Sequence, residues 1–392
     1  MSYSVLQVVG TAIAIPFQVL PLAVGLRAHG FKVDIASPSG AEAAHVAKEG
    51  FRHVPFELRR RLGTISHLRT IRQLRLIIKT GRYDIVHLHG PITATLGRVA
   101  SLRSRSKVVY HCRGGTLFGE PVDIGMTNVL RRLYPWMERA LAPVTDLVFT
   151  LNEEDAADFV TRASYRASRV ECLGVGGCGI DLKFWNGDQY SAAQRRALKE
   201  RFGIPADRTV VGFVGRIVQE KGILDLLEAF YILRKANRDV HLLVVGNTPD
   251  SERDQLTQRI LKERVAQYSL NAFVSFPGYL HPARDAIAAM DVLCLPSYRE
   301  GFGQVVAEAG ALGIPSVAAS SRGTRRAIVD QLTGLLVEKG DIVGLSASIR
   351  RLVDDPALAQ RMGAEAARRV RSEMSQDEVL NRVIGAYRRL MS

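Results

Sequence analysis

Two cations and two carboxylates, each set just past an apolar run, are the side chains here best suited to chemistry on a ligand. The run 210–214 ends in Gly215-Arg216-Ile217-Val218-Gln219-Glu220-Lys221-Gly222, and a helical pattern follows over 222–236. Arg216 and Lys221 therefore stand near a helix start, where free N–H groups and the helix dipole favour anions. Fixed cations beside such N–H groups are what a diphosphate requires. The run 292–296 leads into Glu300-Gly301-Phe302-Gly303-Gln304 and on to Glu308. Glycines let the backbone approach a ligand closely there. Glu300 lies in the loop and Glu308 about a turn and a half into the next helix, so the two can accept from hydroxyls on different parts of one long molecule. Taken singly, Lys221 can cap a carbonyl and Glu308 can lie on an exposed helix face. The joint pattern argues for a pocket that takes a sugar joined to a nucleoside diphosphate.

These residues need a scaffold that gathers strand ends. Apolar runs alternate with helical patterns at 5–9, 33–36, 53–56, 85–88, 108–112, 147–151 and 170–173, and again at 210–214, 240–245, 273–276, 292–295, 316–319 and 334–337. Runs of that length separated by helices imply parallel sheets covered on both faces. The expected fold class is α/β, with two doubly wound, Rossmann-like domains at 1–187 and 188–375. The polar segment 186–194 is the expected link, and the helical stretch 376–392 is expected to return to the first domain. Ligands of open parallel sheets collect at the carboxyl ends of the strands, which places the expected site in a cleft between the domains.

The whole chain sets bounds. Its 392 residues favour two domains over one core, and 47% hydrophobic with 23% charged residues is the composition of a soluble globular protein. Cys112, Cys172, Cys178 and Cys294 show no CxxC or His-paired spacing, which argues for a reduced, cytoplasmic setting and against a metal site. The stretch 5–26 carries no charge before Arg27, but Gly10, Pro16 and Pro21 interrupt it, so it is expected to be strand, loop and helix rather than a membrane span.

Net charge is +14, and residues 50–113 hold fourteen Lys or Arg against Glu57 and Asp84. Arg59-Arg60-Arg61 is flanked by Phe51, Phe56, Leu58 and Leu62. Beyond it, Leu68, Ile71, Leu74 and Ile78 are expected on one helical stripe beside Arg69, Arg72, Arg75 and Lys79. Such a 52–82 region suits either an anionic membrane surface, at the inner face of the plasma membrane, or a helix packed on its own sheet with a solvated basic face. No aromatic-rich RNA-binding signature accompanies the charge, which argues against nucleic acid.

On Gly215-Arg216-x4-Lys221-Gly222, Glu300-x7-Glu308, Asp84-Ile-Val-His87-Leu-His89-Gly90, Gly179-Ile180-Asp181 and Arg322-Gly323, the chain resembles glycosyltransferase family 4, retaining enzymes of GT-B fold, and within it capsule and O-antigen transferases. The resemblance implies that Arg216 and Lys221 hold the donor diphosphate, Glu308 accepts the ribose hydroxyls, and Glu300 lies near the transferred sugar. It assigns Phe302, Gly303 and Gln304 to the donor loop with Gly301, and Gly278 and Leu280 to the segment beside the base. It further implies hexose or N-acetylhexosamine transfer to a lipid-linked or oligosaccharide acceptor. No metal cofactor is expected, since no Asp-x-Asp pair occurs. The chain departs from the pattern at Gly10-Thr11-Ala12, where relatives carry Gly-Gly, at Arg326, where they often carry an acid, and at the family histidine after the fifth strand. There Tyr110-His111-Cys112-Arg113-Gly114-Gly115 offers His111, with Arg113 as the alternative. His87 and His89 fit structural or acceptor roles alike. A sugar-nucleotide 2-epimerase of the same fold, or a non-catalytic nucleotide-sugar-binding subunit, remain alternatives.

Overall fold

The computed structural model describes residues 2–58, 66–114, 118, 128–236, 239–249, 252 and 254–392. The expectations for Arg59-Arg60-Arg61, Leu62 and Gly115 lie outside the described residues. The chain forms two compact units, Met1–Gly179 with Gln376–Ser392, and Ile180–Ser375.

The first unit is built on seven parallel strands: β1 (Ser4–Val9), β2 (Lys32–Ser37), β3 (Arg52–Pro55), β4 (Ile85–His89), β5 (Lys107–His111), β6 (Leu147–Thr150) and β7 (Val170–Cys172). Their order is β3-β2-β1-β4-β5-β6-β7, so the winding reverses between β1 and β4. All five residues of β4 are buried, as a central parallel strand covered on both faces requires. Its two histidines are the exceptions to an apolar run. Register sets Gln7 beside His87 and His89 beside His111.

The uncharged opening stretch folds as β1, a 3-10 turn at Ala12–Ala14, a π turn at Ile15–Val19 and the helix Leu20–Ala28. No helix among the described residues is long and apolar enough to cross a membrane. The helix Gln376–Met391 belongs to this unit. It buries Val379, Val383, Ile384 and Tyr387, a stripe at helical spacing. Arg382 of the same helix donates to the carbonyls of Leu173, at 2.7 Å, and Cys172.

The helix Ser66–Gly81 corrects one expectation. It packs through Thr70, Leu74 and Ile78, while Leu68 is 58% exposed. Steps of three residues drift backwards around a 3.6-residue helix, so Leu68 ends about 120° from Leu74. It joins Leu76, Arg69, Arg72, Arg75 and Lys79 on the outward face.

The second unit holds β8 (Thr209–Val214), β9 (Val240–Val245), β10 (Val274–Gly278), β11 (Val292–Leu295), β12 (Ser316–Ala319) and β13 (Gly334–Val337), in the order β10-β9-β8-β11-β12-β13. The reversal falls between β8 and β11. Against this sheet the helix Ile223–Lys235 buries Leu226, Leu227, Phe230 and Leu233, each worth about 1.5–3 kcal/mol. Asp225 in its first turn and Arg234 and Lys235 in its last complement the helix dipole.

The boundary expected at 187 falls instead at Gly179/Ile180. Residues 184–190 are tied into the second unit. Arg284 lies over the Phe184 ring at 4.4 Å and donates to its carbonyl at 3.0 Å, and the Tyr190 hydroxyl donates to Asp285 at 2.6 Å. These contacts are made by aromatic side chains in a segment whose polar composition reads as a linker.

Candidate functional site

In the second unit the site is assembled by glycines before any charged group is placed. Gly215, Gly246 and Gly278 stand side by side at the carboxyl ends of β8, β9 and β10. The Gly215 N–H donates to Val245 O at 3.0 Å and the Gly246 N–H to Gly278 O at 2.8 Å. A side chain on Gly246 would begin 1.8 Å from the Gly215 carbonyl oxygen. Across the reversal point, Gly222 has a left-handed φ of 67°, and a Cβ there would lie 2.1 Å from Pro296 O. Such an approach, available only without a Cβ, ties the Arg216–Lys221 turn to the segment after β11. The Tyr298 N–H donation to Glu220 O at 3.0 Å completes the link.

That link sets Lys221 against Glu300. Lys221 Nζ lies 2.5 Å from Glu300 Oε1, with the side chains only 17% and 12% exposed. The loop carrying Glu300 is fixed from its other side by Gly323, whose N–H donates to Glu300 O at 3.2 Å and whose Cβ would lie 2.4 Å from the Phe302 nitrogen. Phe302 is buried, and Gly303, with φ of 82°, starts the helix Gln304–Ala311.

The helices Ile223–Lys235 and Gln304–Ala311 both begin without a side-chain cap. Ser191, Ser321, Asp341 and Asp355 cap four others in the same unit, while Thr257–Gln267 and Arg284–Ala288 also begin without one. The uncapped N–H groups stay available to an anion. Gln304 Oε1 and Ser297 Oγ are buried here without partners. Glu308, one turn beyond Gln304, keeps some contact with water. Removal of water around most of its carboxyl still pushes its pKa up to about 8, against the opposing Gln304 hydrogen bond.

The structure therefore brings Lys221, Glu300, Gly301, Phe302, Gly303 and Gln304 together at one edge, with Glu308 on the same short helix. Arg216 is placed differently. Its guanidinium is 45% exposed and paired with Glu252, a carboxylate that the sequence reading did not single out and that no motif marks. Gly278 has a φ of 81° with open space around it, and Leu280 beyond it is half-buried. Arg326 lies 3.6 Å from Glu373, so the departure from an acid there serves an ion pair.

In the first unit, Gly10 follows β1 so closely packed that a Cβ would lie 2.4 Å from Thr93 Oγ1. Beside it, His87, His89 and His111 form a buried stack, with ring centroids of His87 4.2 Å from His89 and 5.4 Å from His111. The Tyr387 hydroxyl meets His87 Nδ1 at 2.6 Å, Gln7 Oε1 meets His89 Nε2 at 2.5 Å, and Arg113 donates through Nε to His89 Nδ1 at 3.0 Å. Arg113 is also held by the carbonyls of Gly177 and Gln18. Both ring nitrogens of His111 are buried without a partner. Burial first holds all three histidines well below their ordinary pKa, helped by the Arg113 charge at each and by neighbouring imidazoles at His89 and His111.

Among the described residues this is the one histidine, cysteine and carboxylate cluster with metal-ligand spacing, its nitrogens within 4.8 Å of one another. Both His89 nitrogens are already engaged and Arg113 adds positive charge, so the geometry opposes a cation. The cluster is a neutral, anchored layer inside the unit that keeps His111 and Arg113 near one another. Gln7 and Tyr387 were missed as partners. The signal for Gln7 was a lone amide in an otherwise apolar strand.

Two Rossmann-like units, each a parallel sheet whose winding reverses once, define the class: the GT-B fold. The "Glycosyl transferases group 1" family matches residues 194–369, and the "Glycosyl transferase 4-like domain" family matches residues 15–176. The chain belongs to the glycosyltransferases, in family 4 with the GT-B fold.

Among curated relatives, the putative glycosyltransferase EpsD of Bacillus subtilis is 29% identical over 82% of each chain. The capsular polysaccharide biosynthesis glycosyltransferase CapM of Staphylococcus aureus is 26% identical over 92% of this chain and 91% of its own. The Escherichia coli UDP-Gal:alpha-D-GlcNAc-diphosphoundecaprenol alpha-1,3-galactosyltransferase is 25% identical over 76% and 74%. A solved glycosyltransferase from Rickettsia africae shares the fold with a TM-score of 0.83 at 19% identity, covering 100% of this chain and 99% of its own.

Proposed function

We propose that the protein transfers a hexose or N-acetylhexosamine, with retention of configuration and without a metal ion, from a nucleoside-diphosphate sugar to a polyprenyl-diphosphate-linked saccharide during surface polysaccharide synthesis. The observation that carries the reading is the Lys221–Glu300 pair held at the β8/β11 reversal by Gly222 and Gly323. A cation and a carboxylate are fixed there beside two uncapped helix starts.

In this reading Lys221, with Arg216 turned from Glu252, neutralises the departing diphosphate. A preorganised donor of this kind contributes about 2–4 kcal/mol to such a step. Glu300, released from Lys221 by the incoming phosphate, accepts from the sugar hydroxyls, and Glu308 accepts from the ribose. Lys221 and the turned Arg216 together supply what Mg²⁺ supplies elsewhere. His111 and Arg113 serve the acceptor side. The capsule-type and diphosphoundecaprenol-linked activities named for the Staphylococcus and Escherichia relatives support the acceptor class. The outward Leu68 and Leu76 among Arg69, Arg72 and Lys79 support peripheral attachment to the inner face of the membrane.

The test is a binding screen with UDP, GDP and ADP, followed by turnover of the sugar forms of the tightest binder with and without a lipid-linked acceptor. Lys221→Ala should cut donor turnover by roughly a hundredfold or more while the protein stays folded. Unchanged turnover removes the proposed site. Turnover of the donor without any acceptor would point to an epimerase instead.

A further inference from the structure

We propose that the first unit carries a second ligand site, a groove at the amino ends of β4 and β5 that binds an anion bearing several phosphate groups. The groove encloses 1180 Å³ and is lined by Arg75, Lys79, Arg82, Arg103, Arg105 and Lys107. Its one acidic lining residue, Asp84, is already engaged, accepting from the Ser4 N–H at 2.7 Å and the Ser4 hydroxyl at 2.8 Å. Lys107 faces Asp146 at 3.6 Å, and Arg75 donates to the Val99 carbonyl at 3.2 Å. Lys79, Arg82, Arg103 and Arg105 have no carboxylate partner among the described residues. Four uncompensated cations around one hollow focus positive potential into it.

Two further observations describe how the rim of the groove is built. Arg82 and Arg103 hold left-handed backbones, with φ of 49° and 65°, where glycine or asparagine is the ordinary choice. Arg82 directly follows the helix Ser66–Gly81 and Arg103 lies in the turn after the helix Pro91–Ala100, so helix ends set where both side chains leave the groove's rim. Between Arg103 and Arg105, Ser104 Oγ is buried without a hydrogen-bond partner. It lies in the wall of the groove, between two of its cations.

The site is separate from the transfer chemistry. Ligands of parallel sheets gather at the carboxyl ends of the strands, and a five-residue strand sets this groove roughly 15 Å from His89 and His111. The hollow is far larger than one orthophosphate. Its occupant therefore carries clustered phosphates, either on a soluble molecule or on neighbouring headgroups of an anionic phospholipid surface.

The experiment uses the full chain and the double variant Arg103→Gln/Arg105→Gln. One arm titrates inositol hexakisphosphate by calorimetry at low and high salt. The other measures sedimentation with phosphatidylcholine vesicles with or without phosphatidylglycerol. The expected result is salt-sensitive binding in at least one arm, weakened roughly tenfold or more in the double variant. Binding of the soluble probe identifies a free anion, and binding of phosphatidylglycerol vesicles alone identifies headgroups. No binding in either arm, or equal binding by both proteins, overturns the proposal. Should the double variant unfold, Arg82→Gly decides, because glycine relieves the left-handed backbone and preserves folding. Weakened binding by Arg82→Gly sustains the site, and wild-type binding overturns it.

Discussion

Replacing Glu308 by Gln gives the sharpest test of the donor-site electrostatics, because the prediction needs no substrate. The carboxyl has an ordinary pKa of 4.5 and is raised to about 8 in the folded protein, first by loss of water. Between those values the folded chain keeps a proton that the unfolded chain has released. Stability contributed by this group is therefore fully present below pH 4.5 and is lost as pH rises through 8. From pH 6 to pH 8 the wild type should lose about 2 kcal/mol at most relative to Glu308→Gln, with the water still touching the carboxylate lowering that figure. Urea unfolding of the two proteins at pH 6, 7 and 8 reads this directly, the midpoints drawing apart as pH rises. Parallel profiles would show that the carboxyl is not held neutral. The same group should report on ligand binding. Hydroxyls that donate to it favour the anion, so a nucleotide bound at pH 7 should release about 0.9 proton, visible as a dependence of calorimetric heat on buffer ionisation enthalpy and absent in Glu308→Gln.

Three other outcomes follow from contacts already described. Glu252→Gln removes the partner that holds Arg216 and should lower the donor KM by roughly three- to tenfold with little change in kcat; an unchanged or higher KM would mean that Arg216 does not turn to the donor. Gly323→Ala forces a Cβ against the Phe302 nitrogen and should cost about 2–3 kcal/mol of stability together with donor affinity, measured by unfolding and nucleotide titration. Wild-type values in both would show that the loop yields without cost. Tyr387→Phe leaves His87 and Gln7 without their shared hydroxyl and should cost about 1–3 kcal/mol, read as a lower urea midpoint; no change would place water there instead.

Much of this architecture was legible because parallel strands are buried on both faces and so appear as short apolar runs. All thirteen expected strands are found within two residues of their expected limits. The Gly215–Gly222 and Glu300–Glu308 segments were legible because their chemistry is local, with glycine, charge and helix start in one stretch. What escaped depends on contacts between distant residues. The pairing of Arg216 with Glu252 and the close approach of Gly246 to Gly215 arise only when loops from different strands meet. The 3.6-residue period was applied too coarsely to Leu68. Aromatic anchoring of Phe184 and Tyr190 moved the domain boundary, because composition registers polarity but not what two rings in a polar stretch will pack against.

The helix Gln376–Met391 completes the first unit from beyond the second. Gln7 and His87 leave the ribosome 380 and 300 residues ahead of Tyr387, whose hydroxyl they share, and the whole second unit is made in between. The opening domain lacks this helix until the domain inserted into it has been made, although domains generally fold as units during synthesis. Loss of the helix Gln376–Met391 would thus uncover the earlier-made part of this unit, and a stop between residues 375 and 387 would remove the hydroxyl that Gln7 and His87 share.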